Sequence, residues 1–141
     1  MLRYSAVSAE TEKAWDVKGW RNVFLTGRRG VGKSTIIRNA MAKWEGAAGG
    51  YIVEKGYDTA ERPYFEMVNL HDRKRSIIAY SDSVNWFPVP RTFDSFGVIA
   101  LLHSVGFKDL TLMDELGFFE LSSQDFLRAV VFALDSAVPV L

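Results

Sequence analysis

The sequence predicts an α/β fold: a three-layer sandwich around a mainly parallel sheet, with an antiparallel hairpin insertion at about residues 50–80. Three observations point there. An apolar run ends in a glycine-rich turn and passes straight into a segment of helical period, the order of a mononucleotide-binding unit. Three short strand-like runs follow, too close together for parallel crossovers. Beyond them, strand and helix patterns alternate again.

With 141 residues the chain is one domain or part of one. Its 48% apolar and 24% charged residues are ordinary for a globular protein. A domain of this size buries roughly two-thirds of its unfolded surface, so it needs no covalent staples. Seventeen basic residues balance seventeen acidic ones, which argues against a general nucleic-acid binder. The absence of cysteine excludes disulfides, thiolate metal sites and cysteine nucleophiles. Residues 1–19 carry Glu10, Glu12 and Asp16, and lack the apolar stretch of a signal peptide. No apolar run approaches the roughly 20 residues that span a bilayer. The expectation is a cytoplasmic protein with no membrane partner.

Residues 1–19 are weakly patterned and read as an N-terminal extension to a domain covering 20–141. Asn22-Val23-Phe24-Leu25-Thr26 suits a short strand buried on both faces. Residues 34–44 place Ile36, Ile37, Ala40, Met41 and Trp44 at helical spacing, and Gly46, Gly49 and Gly50 should stop that helix. Tyr51-Ile52-Val53-Glu54, Tyr64-Phe65-Glu66-Met67-Val68 and Ser76-Ile77-Ile78-Ala79-Tyr80 read as strands of antiparallel hairpins. Residues 81–92, with Pro88 and Pro90, read as a loop. Residues 93–103 read as a helix capped by Asp94 or Ser95. Asp109-Leu110-Thr111-Leu112-Met113 returns to strand character and runs into Asp114-Glu115. A last helix starts at about Ser123 and carries Phe126, Leu127, Val130, Val131 and Leu134. Ala137-Val138-Pro139-Val140-Leu141 reads as the start of another buried strand. Such a strand normally continues to a covering loop and helix, so the domain is expected to lack its last strands and helix.

Gly27-Arg28-Arg29-Gly30-Val31-Gly32-Lys33-Ser34 fits the phosphate-binding pattern G-x-x-x-x-G-K-[ST] in full. Its glycines reach backbone angles that other residues avoid, and bring amides close to phosphates. Those amides form an anion nest at the positive end of the following helix. Lys33 should reach the β- and γ-phosphates, and the Ser34 hydroxyl should ligate Mg²⁺. Asp114 and Glu115 end an apolar run, and in a parallel sheet that end faces the ligand crevice. Asp114 is then placed to hold Mg²⁺, directly or through water, and Glu115 to orient or deprotonate an attacking water. Glu120 is a weaker candidate. Arg28 and Arg29 either face transferred phosphate charge or point to solvent. Arg91 has no position set by pattern. His71 and His103 stand alone, without metal-ligand spacing, and read as structural or solvated. The aromatic residues, four Trp, five Tyr and ten Phe, are scattered and serve mainly as core.

Val23-Phe24-Leu25-Thr26-Gly27-Arg28, followed by Gly30-Val31-Gly32-Lys33-Ser34-Thr35, resembles the opening of the small P-loop nucleoside-triphosphatases of thermophiles and of the vertebrate cancer-related nucleoside-triphosphatase. Gly50-Tyr51 with Glu54 is similar to a second stretch of that family. Met113-Asp114-Glu115-Leu116-Gly117 with Glu120-Leu121 and Phe126 is similar to a third, its Asp-Glu-Ile-Gly-x-Met-Glu-Leu segment. The resemblance implies a P-loop NTPase-like fold and Mg²⁺-dependent hydrolysis of ATP, GTP and other nucleoside triphosphates with little base preference. By carry-over, the loop through Thr35 binds phosphate, Lys33 and Ser34 serve phosphate and metal, Asp114 serves the metal, and Glu115 is the catalytic carboxylate. Residues 81–92 lack the family's Val-Gly-Lys-Tyr-like run, and the extension before Trp20 is long for the family. Two alternatives share the same loop: a small kinase, which would need a mobile arginine-bearing lid, and a nucleotide-gated binding module without useful hydrolysis.

Overall fold

A computed structural model describes residues 21–117 and 119–141, with residues 4–8 as backbone only. Apart from that short piece, the expected N-terminal extension lies outside the described residues. One mixed sheet organises the rest. β1 (Tyr4–Ser8) runs parallel to β2 (Asn22–Thr26), with Tyr4 opposite Asn22 and Ser8 opposite Thr26. Residues 139–141 come next. The Val140 amide donates to Arg21 O (3.0 Å) and its carbonyl accepts from the Val23 amide (2.8 Å). On its other side this segment joins β7 (Leu110–Met113), through the Thr111 amide to Pro139 O and the Leu141 amide to Thr111 O. Residues 139–141 therefore bridge β2 and β7 in the parallel sense, with Val140 only 5% exposed. Asn22 locks the junction by donating to Leu134 O (2.9 Å) and accepting from the Val140 amide (3.2 Å).

Beyond β7 lies β3 (Ala48–Tyr57), parallel to it from Ala48 opposite Leu110 to Tyr51 opposite Met113. The pairing then changes sense. β3 is antiparallel to β4 (Pro63–Asn69), β4 to β5 (Arg75–Ser81), and β5 to β6 (Trp86–Pro88). α/β character holds, with parallel pairing on one side of β3 and antiparallel pairing on the other.

Three local differences from the sequence reading have physical causes. First, α1 (Lys33–Ala42) ends before any of the glycines expected to stop it, because Lys43 and Trp44 tighten its last turn onto Ala40 O and Met41 O. Gly49 and Gly50 belong to β3 instead. Gly50 has φ +89°, and a Cβ there would lie 2.0 Å from Leu112 O, so only glycine lets β3 approach β7. Second, residues 81–92 hold β6 and a helical turn, α2 (Pro90–Thr92). Pro88 is tolerated on an edge strand and Pro90 at the first helical position. Third, Asp94 and Ser95 cap nothing of their own. After α2 the chain passes through a π-helical turn (Phe93–Gly97) into α3 (Val98–Phe107). Asp94 instead accepts from the Phe126 amide (3.2 Å) and so caps α4 (Gln124–Asp135).

α3 packs on β3 and against α4. Between these layers lie Tyr51, Met67, Leu101, Phe126 and Ala133, all at most 1% exposed. The hydroxyls of Ser104 and Thr111 pair beneath them at 2.8 Å, which satisfies both in the interior. α1, by contrast, contributes no buried residue. Among the described residues, no helix is long and apolar enough to cross a membrane.

Candidate active site

β2 and β7 are parallel and separated only by residues 139–141, so the segments that follow them emerge at the same edge of the sheet. Two strand spacings put them roughly 10 Å apart. After β2, Gly30 (φ +79°) and Gly32 (φ +99°) take left-handed angles, with nothing within 4 Å of a would-be Cβ. Conformation rather than crowding calls for glycine there. The Val31 amide bonds back to Arg28 O (3.3 Å), and α1 starts when the Ile36 amide reaches Gly32 O (3.0 Å). Among the described residues no side chain caps α1 and no acidic residue stands in its first turn. Its leading amides and its dipole therefore favour an anion. The Lys33 ammonium folds back over the loop, donating to Gly27 O (2.8 Å) and Arg28 O (2.9 Å).

After β7, Asp114 is held against β3 twice. Its amide donates to Tyr51 O (3.1 Å), and its carboxylate accepts from the Val53 amide (3.1 Å). Burial raises its carboxyl pKa above the ordinary value, while the Val53 amide and the Arg38 charge pull it back down. Glu115 follows with an exposed side chain and a left-handed backbone (φ +66°), uncommon for a residue other than glycine. Its carbonyl accepts from the Tyr51 hydroxyl (3.4 Å). Glu120 is 5% exposed, and its carboxylate accepts from the Gly117 amide.

A cleft of about 1430 Å³ is lined by Gly27, Arg29, Gly30, Gly32, Lys33, Ser34 and Thr35 on one side and by Asp114, Glu115 and Glu120 on the other. Arg28 and Val31 are not among its lining residues, and Arg91 sits apart in α2. The cleft is larger than most ligand sites because it continues along β2 to Asn22 and Val140. It also reaches an aromatic group in which Phe65 stacks on Trp86 (4.8 Å) and Phe119 packs against both. Only the end between loop and carboxylates combines an anion nest, an ammonium and acidic oxygens. Ser34 and Asp114 supply hard oxygen donors there, the kind that Mg²⁺ takes. Among the described residues no group of three or more His, Asp or Glu is arranged to hold a metal, so an ion here would draw its remaining ligands from phosphate and water.

Tyr51 carries no functional signal in the sequence, since its role depends on a contact 64 residues away. His71 and His103, solitary in the sequence, stack their rings at 3.7 Å. His103 Nδ1 is buried without a hydrogen-bond partner, and burial pushes the imidazole below its ordinary pKa.

The family model described as NTPase matches residues 22–141. Proteins named nucleoside-triphosphatase THEP1 are similar to the chain. The one from Thermotoga sp. (strain RQ2) is 31% identical over 120 residues, covering 81% of this chain and 68% of the relative. That from Methanocaldococcus jannaschii is 29% identical over 127 residues, covering 84% and 75%. That from Thermofilum pendens is 31% identical over 133 residues, covering 86% and 71%. No solved structure matches the chain significantly.

Proposed function

The chain belongs to the NTPase family, and from that premise we propose that it is a nucleoside-triphosphatase in which the glycine loop holds the triphosphate and Glu115 directs water at the terminal phosphorus. The reaction consumes one water and yields a nucleoside diphosphate and inorganic phosphate. One observation carries the reading: Lys33 of the loop after β2 and Asp114-Glu115 directly after β7 line the same cleft. The names of the similar proteins support the same activity.

The triphosphate enters at the N-terminus of α1, where loop amides take its oxygens and phosphate replaces Gly27 O and Arg28 O as the partner of the Lys33 ammonium. Ser34 and Asp114 would hold Mg²⁺, which neutralises charge on the β- and γ-oxygens. Glu115 faces the γ-phosphoryl end. There its carboxylate orients the water and accepts its proton as oxygen attacks phosphorus and the diphosphate leaves. Arg29, which lines the cleft, is better placed than Arg28 to stabilise the charge of the transferred group. ATP and GTP are both substrates on this reading, because the loop and the carboxylates engage the triphosphate that the two share.

Phosphate release from ATP, GTP, CTP and UTP, with and without Mg²⁺ and with no acceptor added, tests this. We expect release from all four, within about tenfold of one another, and loss of release on chelation. Release only when an alcohol or nucleotide acceptor is added would turn the reading toward a kinase.

A further inference from the structure

We propose that Glu120 is a positioning residue for the hydrolysis: its carboxylate, by accepting from the Gly117 amide, holds residues 114–117 so that Glu115 keeps its left-handed backbone at the cleft. The inference rests on the reading of Glu115 as the carboxylate that directs water.

A left-handed backbone at a glutamate is unfavourable by itself, and surrounding contacts must hold it. Those contacts surround this loop. Asp114 fixes its start by two hydrogen bonds to β3. Glu120 fixes its end. It is 5% exposed, and its carboxylate reaches back to the Gly117 amide while its carbonyl accepts from the Ser123 amide (2.9 Å) at the entry to α4. A carboxylate is placed in so dry a position only with a hydrogen-bond partner, and this one satisfies a backbone donor two residues beyond Glu115. Phe119 braces the same loop against Phe65 and Trp86.

Tyr51 is the second anchor. It is 1% exposed and packs its ring on Phe126 of α4. Burial first, then the nearby charges of Glu120, Asp114 and Glu115, keep its phenol protonated well above the ordinary range, so it remains a donor. Its bond to the Glu115 carbonyl, at 3.4 Å, is long for a hydroxyl donor, so Glu120 carries the larger share of the positioning. Both residues line the cleft, but the Glu120 carboxylate is engaged with the Gly117 amide, whereas Glu115 is exposed.

The test measures kcat, KM and Mg·ATP affinity for Glu120→Gln, Glu120→Ala and Tyr51→Phe, each in the wild-type and the Glu115→Gln background. A glutamine oxygen can still accept from Gly117, so Glu120→Gln should stay within about threefold of wild type. Glu120→Ala should lose about 10–100-fold in kcat with KM nearly unchanged, as a misplaced catalytic group does. Tyr51→Phe, which keeps the ring, should lose about three- to fivefold. In the Glu115→Gln background none of the three should cost more, because the group they position is already gone. The inference is overturned if Glu120→Gln falls as far as Glu120→Ala, which would make Glu120 a base or metal ligand. Losses that multiply with Glu115→Gln, or that appear in KM instead of kcat, overturn it too. If Glu120→Ala does not fold, Glu120→Gln and Tyr51→Phe decide between the same outcomes. A Glu115→Gln protein as fast as wild type would instead remove the catalytic reading itself.

Discussion

The Lys33 ammonium has two carbonyl partners at the mouth of the loop, so on the proposed reading it is oriented before a phosphate binds. An ammonium held this way exchanges neutral acceptors for charged ones on binding, and charge-assisted bonds are about twice as strong. Lys33→Ala should therefore weaken Mg·ATP binding by about 10–100-fold, measured by titration calorimetry; unchanged affinity would remove the lysine from the phosphate site. At this scale much was legible in advance. The loop is local, with every fixed position inside eight consecutive residues, and Asp114-Glu115 ends an apolar run. Tyr51 was not legible, because nothing near it in the chain announces a hydroxyl aimed at Glu115. Burial of Glu120 was equally hidden, since its contacts with the Gly117 and Ser123 amides are set by the folded chain and not by any period in the sequence.

Among the elements, α3 meets the turn between β4 and β5 through the His71–His103 stack, with Phe107 against the second ring at 5.0 Å. Burial first, then the charges of His71 and Lys108, lower the His103 pKa, and Asp72 opposes them. The folded protein thus binds this proton at lower pH than the unfolded chain, whose histidine titrates near about 6.5. Below that value the unfolded state holds more protons, so stability is lost as pH falls through it. His103→Phe keeps a ring in the stack and removes the titration. The urea midpoint of wild type should fall more than that of the variant between about pH 7.5 and 5.5. Equal falls would show that His103 does not report on folding. Element positions were largely readable from period and composition, while their joints were not. Asp94 sits where a helix should start, yet it serves the Phe126 amide of α4, 32 residues later. Gly49 and Gly50 look like a helix stop but serve the approach of β3 to β7. Both depend on which elements become neighbours, and hydrophobic period is blind to that.

For the whole molecule, the position of residues 139–141 between β2 and β7 sets the spacing of the site. Their apolar run reads as a strand, but its place in the sheet depends on pairing with two distant segments. The sheet brings the glycine loop and the carboxylates to one edge, where on the proposed reading both act on one phosphoanhydride bond. Phosphate release at saturating Mg·ATP, compared between wild type and Glu115→Gln at matched nucleotide affinity, decides whether they do. The expected result is intact binding with release slowed by about 10²–10⁴-fold. Full-rate release from the variant would exclude Glu115 from the reaction.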